Sequence, residues 1–364
     1  MIERKKRRIA VLPAGSMGIA IGTVFADNSD QVTLGYRSEG QCKRFLETRT
    51  DARFPGIKLP DNIDATTDLE NLVAESDLVV LATRARHSRG FFRQIKSSIR
   101  PGTEVLHVIK GFDPETNQRI SEVLISEKRS LCNHIAVLSG PNYAHEIVRR
   151  LPTITVIAST NYDLAKRLQS DLSTSAFRPY ISNDMIGVEL GGALKNPFAM
   201  AVGIVEGMKL GANTSAAMQN RGLWEMIDLA VILGADQNTI IEPAGAGDLS
   251  LSCKLPSRNY SAGFQIGQGE DPQALLESDI TIEGLDSVRS AVILAKQHKV
   301  EVPILETLED ILYHGLTLDA AGKRLMSRDL AYAGPQPVLN RHVTRWLGRI
   351  LHVWGKRRRS SSRW

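Results

Sequence analysis

Cysteine is scarce: Cys42, Cys132 and Cys253 are the three in 364 residues. They stand far apart, are odd in number and match neither a metal-ligand spacing nor a disulfide framework. No metal centre is expected, and a reducing, cytoplasmic setting fits best. Aromatic residues make up only 5% of the chain, yet 42% of it is hydrophobic, enough for a large core divided between two domains. The body also lacks a surplus of positive charge. Residues 341–364 carry eight Lys or Arg and no acid, which leaves 37 of the 45 basic residues to face all 40 acids. A slightly acidic body has no basic face with which to displace counterions from phosphates, so no nucleic-acid partner is expected. The uncharged stretch 9–26, preceded by Arg4, Lys5, Lys6, Arg7 and Arg8, has the outline of a secretory signal. Pro13, Gly15, Gly18 and Gly22 interrupt it, and a strand-like segment follows at once, so it reads as part of the fold.

From residue 8 to about 182, short β-branched apolar runs alternate with helical segments, the pattern of a parallel sheet covered on both faces. The runs are 8–12, 31–36, 77–83, 104–109, 134–138, 153–158 and 178–181. From Asp184 onward, long stretches carry apolar residues at helical spacing without strand punctuation, and Asp184 itself can cap the first of these helices. The expected architecture is an α/β Rossmann-type N-terminal domain with a parallel-rich sheet over 1–183, then an all-α C-terminal substrate domain over 184–335. A basic amphipathic tail over 336–364 closes the chain.

After the first run comes Pro13-Ala14-Gly15-Ser16-Met17-Gly18, leading straight into a helical segment. This is the dinucleotide-binding fingerprint with its first glycine replaced by proline. Gly15 stands where backbone must approach a pyrophosphate, and Gly18 where the helix packs close on the strand. The helix start offers amide donors and a positive dipole end. At the end of the second run, where an acid would take the ribose hydroxyls of NAD, the sequence has Arg37. A guanidinium there suits a 2′-phosphate, so NADPH is the expected cofactor and NADH the lesser one.

Further segments follow in order: Lys110-Gly111-Phe112; Ser139-Gly140-Pro141-Asn142-Tyr143-Ala144; Glu189-Leu190-Gly191-Gly192-Ala193-Leu194-Lys195-Asn196; Gly247-Asp248-Leu249; Ser257-Arg258-Asn259; and Ile282-Glu283-Gly284. Read together over roughly residues 8–330, the chain resembles the NAD(P)-dependent glycerol-3-phosphate dehydrogenase family. The resemblance implies an oxidoreductase that interconverts sn-glycerol 3-phosphate and dihydroxyacetone phosphate by hydride transfer and feeds glycerophospholipid synthesis. It further implies Lys195 as general acid, Lys110 as stabiliser of the carbonyl oxygen, and Asp248 as the group that orients Lys195, with Ser252 adding a hydrogen bond. A lysine working near neutrality has to be desolvated or sit beside another cation, and Lys110 is the natural neighbour. Substrate contacts fall by resemblance on Lys110, Gly140, Asn142, Lys195, Asp248, Ser257, Arg258 and Asn259, the last two gripping a phosphate. Cofactor contacts fall on Gly15, Ser16, Met17, Gly18, Arg37, Lys110, Ala144, Arg258 and Glu283. A homodimer is implied as well.

Several positions depart from the family pattern. Pro13 replaces a glycine, Met17 an aromatic residue, Asn142 a Ser or Thr, and Thr83-Arg84-Ala85 a small uncharged turn, while Pro197 interrupts a predicted helix. A catalytically weak dinucleotide-binding paralogue and a dehydrogenase of another small phosphorylated hydroxy compound therefore stay open as alternatives. The tail lies beyond the resemblance. Val343, Trp346, Leu347, Ile350, Leu351 and Trp354 form one apolar helical stripe flanked by arginines, the pattern of peripheral membrane contact through 341–364, or of a docking surface.

Overall fold

The computed structural model of the chain describes residues 6–28, 31–276 and 282–327. The tail expected to contact a membrane lies outside these residues. Eight strands form one sheet: β1 (Arg8–Leu12), β2 (Gln31–Gly35), β3 (Ile63–Thr66), β4 (Leu78–Leu81), β5 (Glu104–His107), β6 (Ile135–Ser139), β7 (Thr153–Ala158) and β8 (Phe177–Ser182). Their order is β3-β2-β1-β4-β5-β6-β7-β8. All neighbours run parallel except β6 and β7, which pair antiparallel through Leu138 and Ile157. The sheet is thus parallel-rich, as expected. It has one strand more than the apolar runs indicated, because the four residues of β3 include the exposed Asp64 and look like loop.

Side chains of successive strand residues point to opposite faces. On β1, Ile9 and Val11 join one buried cluster with Leu34, Val80 and Leu106, while Ala10 and Leu12 join another with Val79, Leu81 and Val105. Helices seal both faces, which is why these strands are apolar without alternation. The last strand ends at Ser182, and every described element from Met185 on is helical. Asp184 caps the helix Met185–Gly207, accepting from Gly187 N at 2.8 Å. Sheet half and helical half belong to one compact unit that reaches Leu325. No helix among the described residues is long and apolar enough to cross a membrane.

The helix Met185–Gly207 runs through Pro197 unbroken and is the buried axis of the helical half. It crosses the helix Arg258–Gly267 backbone against backbone. A Cβ on Gly203 would lie 2.2 Å from Tyr260 O, one on Gly207 2.2 Å from Phe264 O, and one on Gly263 2.0 Å from Met200 O. Only glycine permits that approach. The crossing brings the start of Arg258–Gly267 beside Asn196, one residue after Lys195, where Asn259 Nδ2 donates to Asn196 Oδ1 at 2.9 Å.

Candidate active site

Two crevice walls meet at the C-terminal ends of the parallel strands, where open α/β sheets bind ligands. The first wall is the turn after β1. Gly15 is the N-cap of the helix Ser16–Asp27, extended at φ −97° and ψ 175°, and no side chain caps that helix. Its first amides therefore have no protein partner inside the helix. A Cβ at Gly15 would meet nothing nearer than 3.9 Å, so the space outside it is open to a ligand. At Gly18 a Cβ would lie 2.8 Å from Pro13 O and 3.1 Å from Ala82 Cβ, which ties this glycine to helix–strand packing. Ser16 opens the helix, and the side chain of Met17 packs against the core of that face. The turn fits a dinucleotide pyrophosphate.

Sequence reasoning overlooked Arg53, whose guanidinium donates to the carbonyl of Ala14 inside this turn and pairs with Asp51 at 3.4 Å. Asp51 in turn accepts from Tyr36 OH at 3.0 Å, and burial with the Asp51 charge pushes that phenol's pKa well above its ordinary value. Nothing local in the sequence marks this pairing, since the two ends lie 39 residues apart.

The second wall carries the lysines. Lys110 follows β5, and Gly111, at φ 124°, turns the chain in a conformation that side chains disfavour. Lys110 Nζ donates to Gly140 O at 2.9 Å and pairs with Asp248 Oδ2. Lys195 lies mid-helix, and its Nζ pairs with Asp248 Oδ1 at 3.0 Å and donates to Ser252 Oγ at 2.6 Å. Asp248, 1% exposed, thus spends one oxygen on each lysine. Burial, and then the charge of Lys195, pull the Lys110 ammonium below the ordinary lysine range against the opposing pull of Asp248. Gly192, one turn before Lys195, lets the helix close on this point: a Cβ there would lie 2.6 Å from Ser139 Oγ and 3.3 Å from Lys110 Cγ.

The loop after β6 lies under the same cluster. Asn142 Nδ2 donates to Thr155 Oγ1 at 2.9 Å, while its buried Oδ1 and the buried Oγ of Ser139 have no protein partner. Tyr143 donates to Leu251 O at 2.9 Å, and burial followed by the Asp248 charge pushes its pKa up to about 12. Ala144 begins the short helix Ala144–Val148. Ser257 is engaged as the N-cap of Arg258–Gly267, accepting from Tyr260 N at 3.4 Å. Arg258 is exposed at the first turn of that helix. Asn259 is held on two sides and keeps one amide hydrogen: besides donating to Asn196 it accepts from Gly284 N at 2.8 Å, and Asn196 donates to Glu283 Oε2 at 3.2 Å. A small cleft lined by Arg84, Arg86, Lys110, Glu283 and Asp286 opens beside Lys110.

Behind the cluster a second buried network holds its two supports together. Glu189, six residues before Lys195, accepts from Ser121 N at 2.9 Å, Ser121 Oγ at 2.6 Å and Arg119 Nη1, and lies 3.3 Å from His107 Nε2 at the end of β5. Burial would raise its carboxyl, but His107, Arg119 and Ser121 outweigh that and bring it down to about 2. The strand leading to Lys110 and the helix carrying Lys195 are clamped through this carboxylate.

A dinucleotide-type crevice opening onto two lysines that share one buried carboxylate defines a nicotinamide-dependent dehydrogenase. The comparisons narrow the class. The family model described as NAD-dependent glycerol-3-phosphate dehydrogenase N-terminus matches residues 8–165, and the corresponding C-terminus model matches 184–323. The chain belongs to the NAD-dependent glycerol-3-phosphate dehydrogenase family. It is 41% identical over 326 residues to the glycerol-3-phosphate dehydrogenase (NAD(P)+) of Thermobifida fusca, covering 88% of this chain and 97% of that protein. It is 39% identical over 329 residues to the enzyme of that name from Streptomyces coelicolor, with 89% and 97% covered. Among solved structures, the glycerol-3-phosphate dehydrogenase of Coxiella burnetii superposes with a TM-score of 0.82 at 32% identity, over 89% of this chain and 99% of that one.

Proposed function

We propose that this chain reduces dihydroxyacetone phosphate to sn-glycerol 3-phosphate, and runs the reverse oxidation, with NADPH preferred and NADH accepted, feeding glycerophospholipid synthesis. The observation that carries the reading is the buried Lys110–Asp248–Lys195 cluster beside a dinucleotide turn, in a chain of this family. The cofactor, when bound, supplies or receives the hydride. The remaining work falls to the side chains. Lys195 passes a proton from Nζ to the ketone oxygen, and in the reverse direction receives it, while Asp248 and Ser252 hold that Nζ in place. Lys110 sets positive charge against the same oxygen as it becomes an alkoxide. Two cations on one anion leave the cluster with a charge that suits an anionic substrate.

Arg258 has no carboxylate partner among the described residues, so its guanidinium is free to take the substrate phosphate or the cofactor. Asn259 and Ser257 contribute by fixing the helix start from which Arg258 projects. The unpartnered Oδ1 of Asn142 can only accept, so it suits a substrate hydroxyl and not a phosphate oxygen. Gly140 places Lys110 through its carbonyl. On the cofactor side, Gly15, Ser16, Met17 and Gly18 take the pyrophosphate, Arg37 the 2′-phosphate, and Ala144 and Glu283 border the nicotinamide end. A panel of small phosphorylated ketones and alcohols with the purified protein tests this. Turnover of dihydroxyacetone phosphate well above the others is expected, and a better substrate outside that pair would overturn the reading.

Pairing of two copies is carried over from the resemblance. The tail 341–364 is proposed as a reversible anchor on anionic membranes, on the strength of its tryptophan-bearing stripe and eight cations. Cosedimentation of the full chain, but not of a chain ending at Asn340, with anionic vesicles at low salt is expected; recovery of both in the supernatant would dismiss the anchor.

A further inference from the structure

The helix Ala85–Ile95, which follows β4, carries an uneven charge pattern. Arg86 pairs with Asp286 at 2.8 Å, Arg89 with Asp113 at 2.9 Å and Arg93 with Glu127 at 2.8 Å. Arg84, the N-cap residue of the same helix, has no carboxylate partner among the described residues, and its exposed side chain does not cap the helix. A second arginine without such a partner comes to meet it from the other side of β1. Arg37 leaves the end of β2, yet its guanidinium carbon lies 5.3 Å from the ring centroid of Phe91, on the helix after β4. Since β2 and β4 flank β1 in the sheet, Arg37 must lie across the mouth of the crevice. Arg84 and Phe91, seven residues apart, share one face of that helix, so Arg37 over Phe91 is drawn onto the face that begins at Arg84. His87, about one turn from Arg84 and one from Phe91, feels both: burial first, and then Arg86, Arg84 and Arg37, push its pKa below the ordinary histidine value against the opposing charge of Asp286.

Arg84 lines the cleft beside Lys110 together with Glu283 and Asp286, but Asp286 is taken by Arg86 and Glu283 by Asn196, so Arg84 and Arg37 keep a mutual repulsion that a bound anion relieves. Two guanidiniums offer the forked donors that phosphate oxygens take best, and the Phe91 ring lies within cation–π reach of one of them. The pyrophosphate has its own seat at the turn around Gly15 and the substrate phosphate has Arg258, so the anion left to fill this position is the one that distinguishes NADPH from NADH. We infer that Arg84, acting together with Arg37 above Phe91, is a specificity-determining residue that binds the adenosine 2′-phosphate of NADPH. This rests on the reading of the chain as a nicotinamide-dependent dehydrogenase, and assigns to the turn after β4 a share of the selection expected of Arg37 alone.

The test is equilibrium binding of NADPH, NADH and adenosine 2′,5′-bisphosphate to the full-length protein and to its Arg84→Ala and Arg37→Ala variants. Arg84→Ala is expected to weaken NADPH and the bisphosphate by about tenfold, the worth of one partly exposed charge-assisted contact, and NADH by less than about twofold. Equal weakening of NADPH and NADH would move Arg84 to the pyrophosphate and overturn the inference. So would unchanged NADPH affinity in Arg84→Ala while Arg37→Ala loses it, which leaves Arg37 as the sole reader. Failure of the unaltered protein to bind either dinucleotide would instead refute the dehydrogenase reading on which the inference stands.

Discussion

Replacing Asp248 by Asn keeps the shape of the side chain but removes the one negative charge between Lys110 and Lys195. Asp248 is 1% exposed and each oxygen serves a different ammonium, so the amide group of Asn must turn its own donors toward one of two donors. Opposite charges in contact at an effective dielectric near 20 attract by about 4 kcal/mol, or nearly three powers of ten in the balance between charged and neutral lysine. Lys110 already stands below the ordinary lysine range, through burial and then through the charge of Lys195, with Asp248 the main opposing influence. Without it the neutral amine wins at lower pH. A cation is charged below its pKa, so lowering that pKa moves the alkaline loss of ketone reduction toward acid. Allowing half of the Coulomb gain to be returned by solvent entry and relaxation, the alkaline limb of kcat should move down by about one to two pH units, and the thermal midpoint should fall as well, because two buried ammoniums lose their counter-ion. The assay is kcat against pH for dihydroxyacetone phosphate reduction at saturating NADPH, beside the thermal midpoint of each protein. A profile that keeps its shape and loses only height would refute the view that Asp248 sets the charge of the lysine pair.

Arg37→Glu should cost far more in kcat/KM with NADPH than with NADH, because the 2′-phosphate would meet an anion; equal losses would remove Arg37 from the 2′-phosphate. Gly203→Ala sets two effects against each other: alanine favours a helix by about 1 kcal/mol, but a Cβ 2.2 Å from Tyr260 O forces backbone apart at about 1–3 kcal/mol or more. The clash should win, lowering the melting temperature by several degrees, and a rise would show that the crossing is looser than described. Glu189, brought down to about 2, adds stability that is complete above its unfolded value of 4.5 and fades as pH falls from 4.5 toward about 2. Urea unfolding of Glu189→Gln should show less loss across that window than the unaltered chain, and parallel curves would count against the buried network.

The parts of this molecule legible in its sequence are those whose cause is local. Asp184 is read as a cap from its own position before an apolar run, and it accepts from Gly187 N as expected. The blocks holding Lys110, Lys195, Asp248 and Ser252 are compact enough to be read singly, and the fold brings all four together. Orientation was not legible, since an apolar run carries no sign of direction; β7 pairs antiparallel with β6 for reasons of topology. Long-range partners were hidden too. The sequence around Asn259 shows nothing of its bonds to Asn196 and Gly284, which exist only because the helices cross. The glycines that allow the crossing recur four residues apart on both helices, Gly203 with Gly207 and Gly263 with Gly267, a signal available but not used. Pro197 was read as a departure, yet the helix continues through it, since the loss of one N–H in a long buried helix is outweighed by packing on all sides.

In the proposed mechanism Lys195 transfers the proton that accompanies reduction of the ketone. Its most direct test is single-turnover reduction of dihydroxyacetone phosphate by preformed complexes of NADPH with the unaltered protein and with Lys195→Ala, followed by the absorbance of the reduced nicotinamide. Lys195→Ala is expected to bind NADPH normally but to oxidise it at least about a hundredfold more slowly, the usual loss for a general acid. If the variant oxidised bound NADPH at most of the original rate, Lys195 would not be the proton donor.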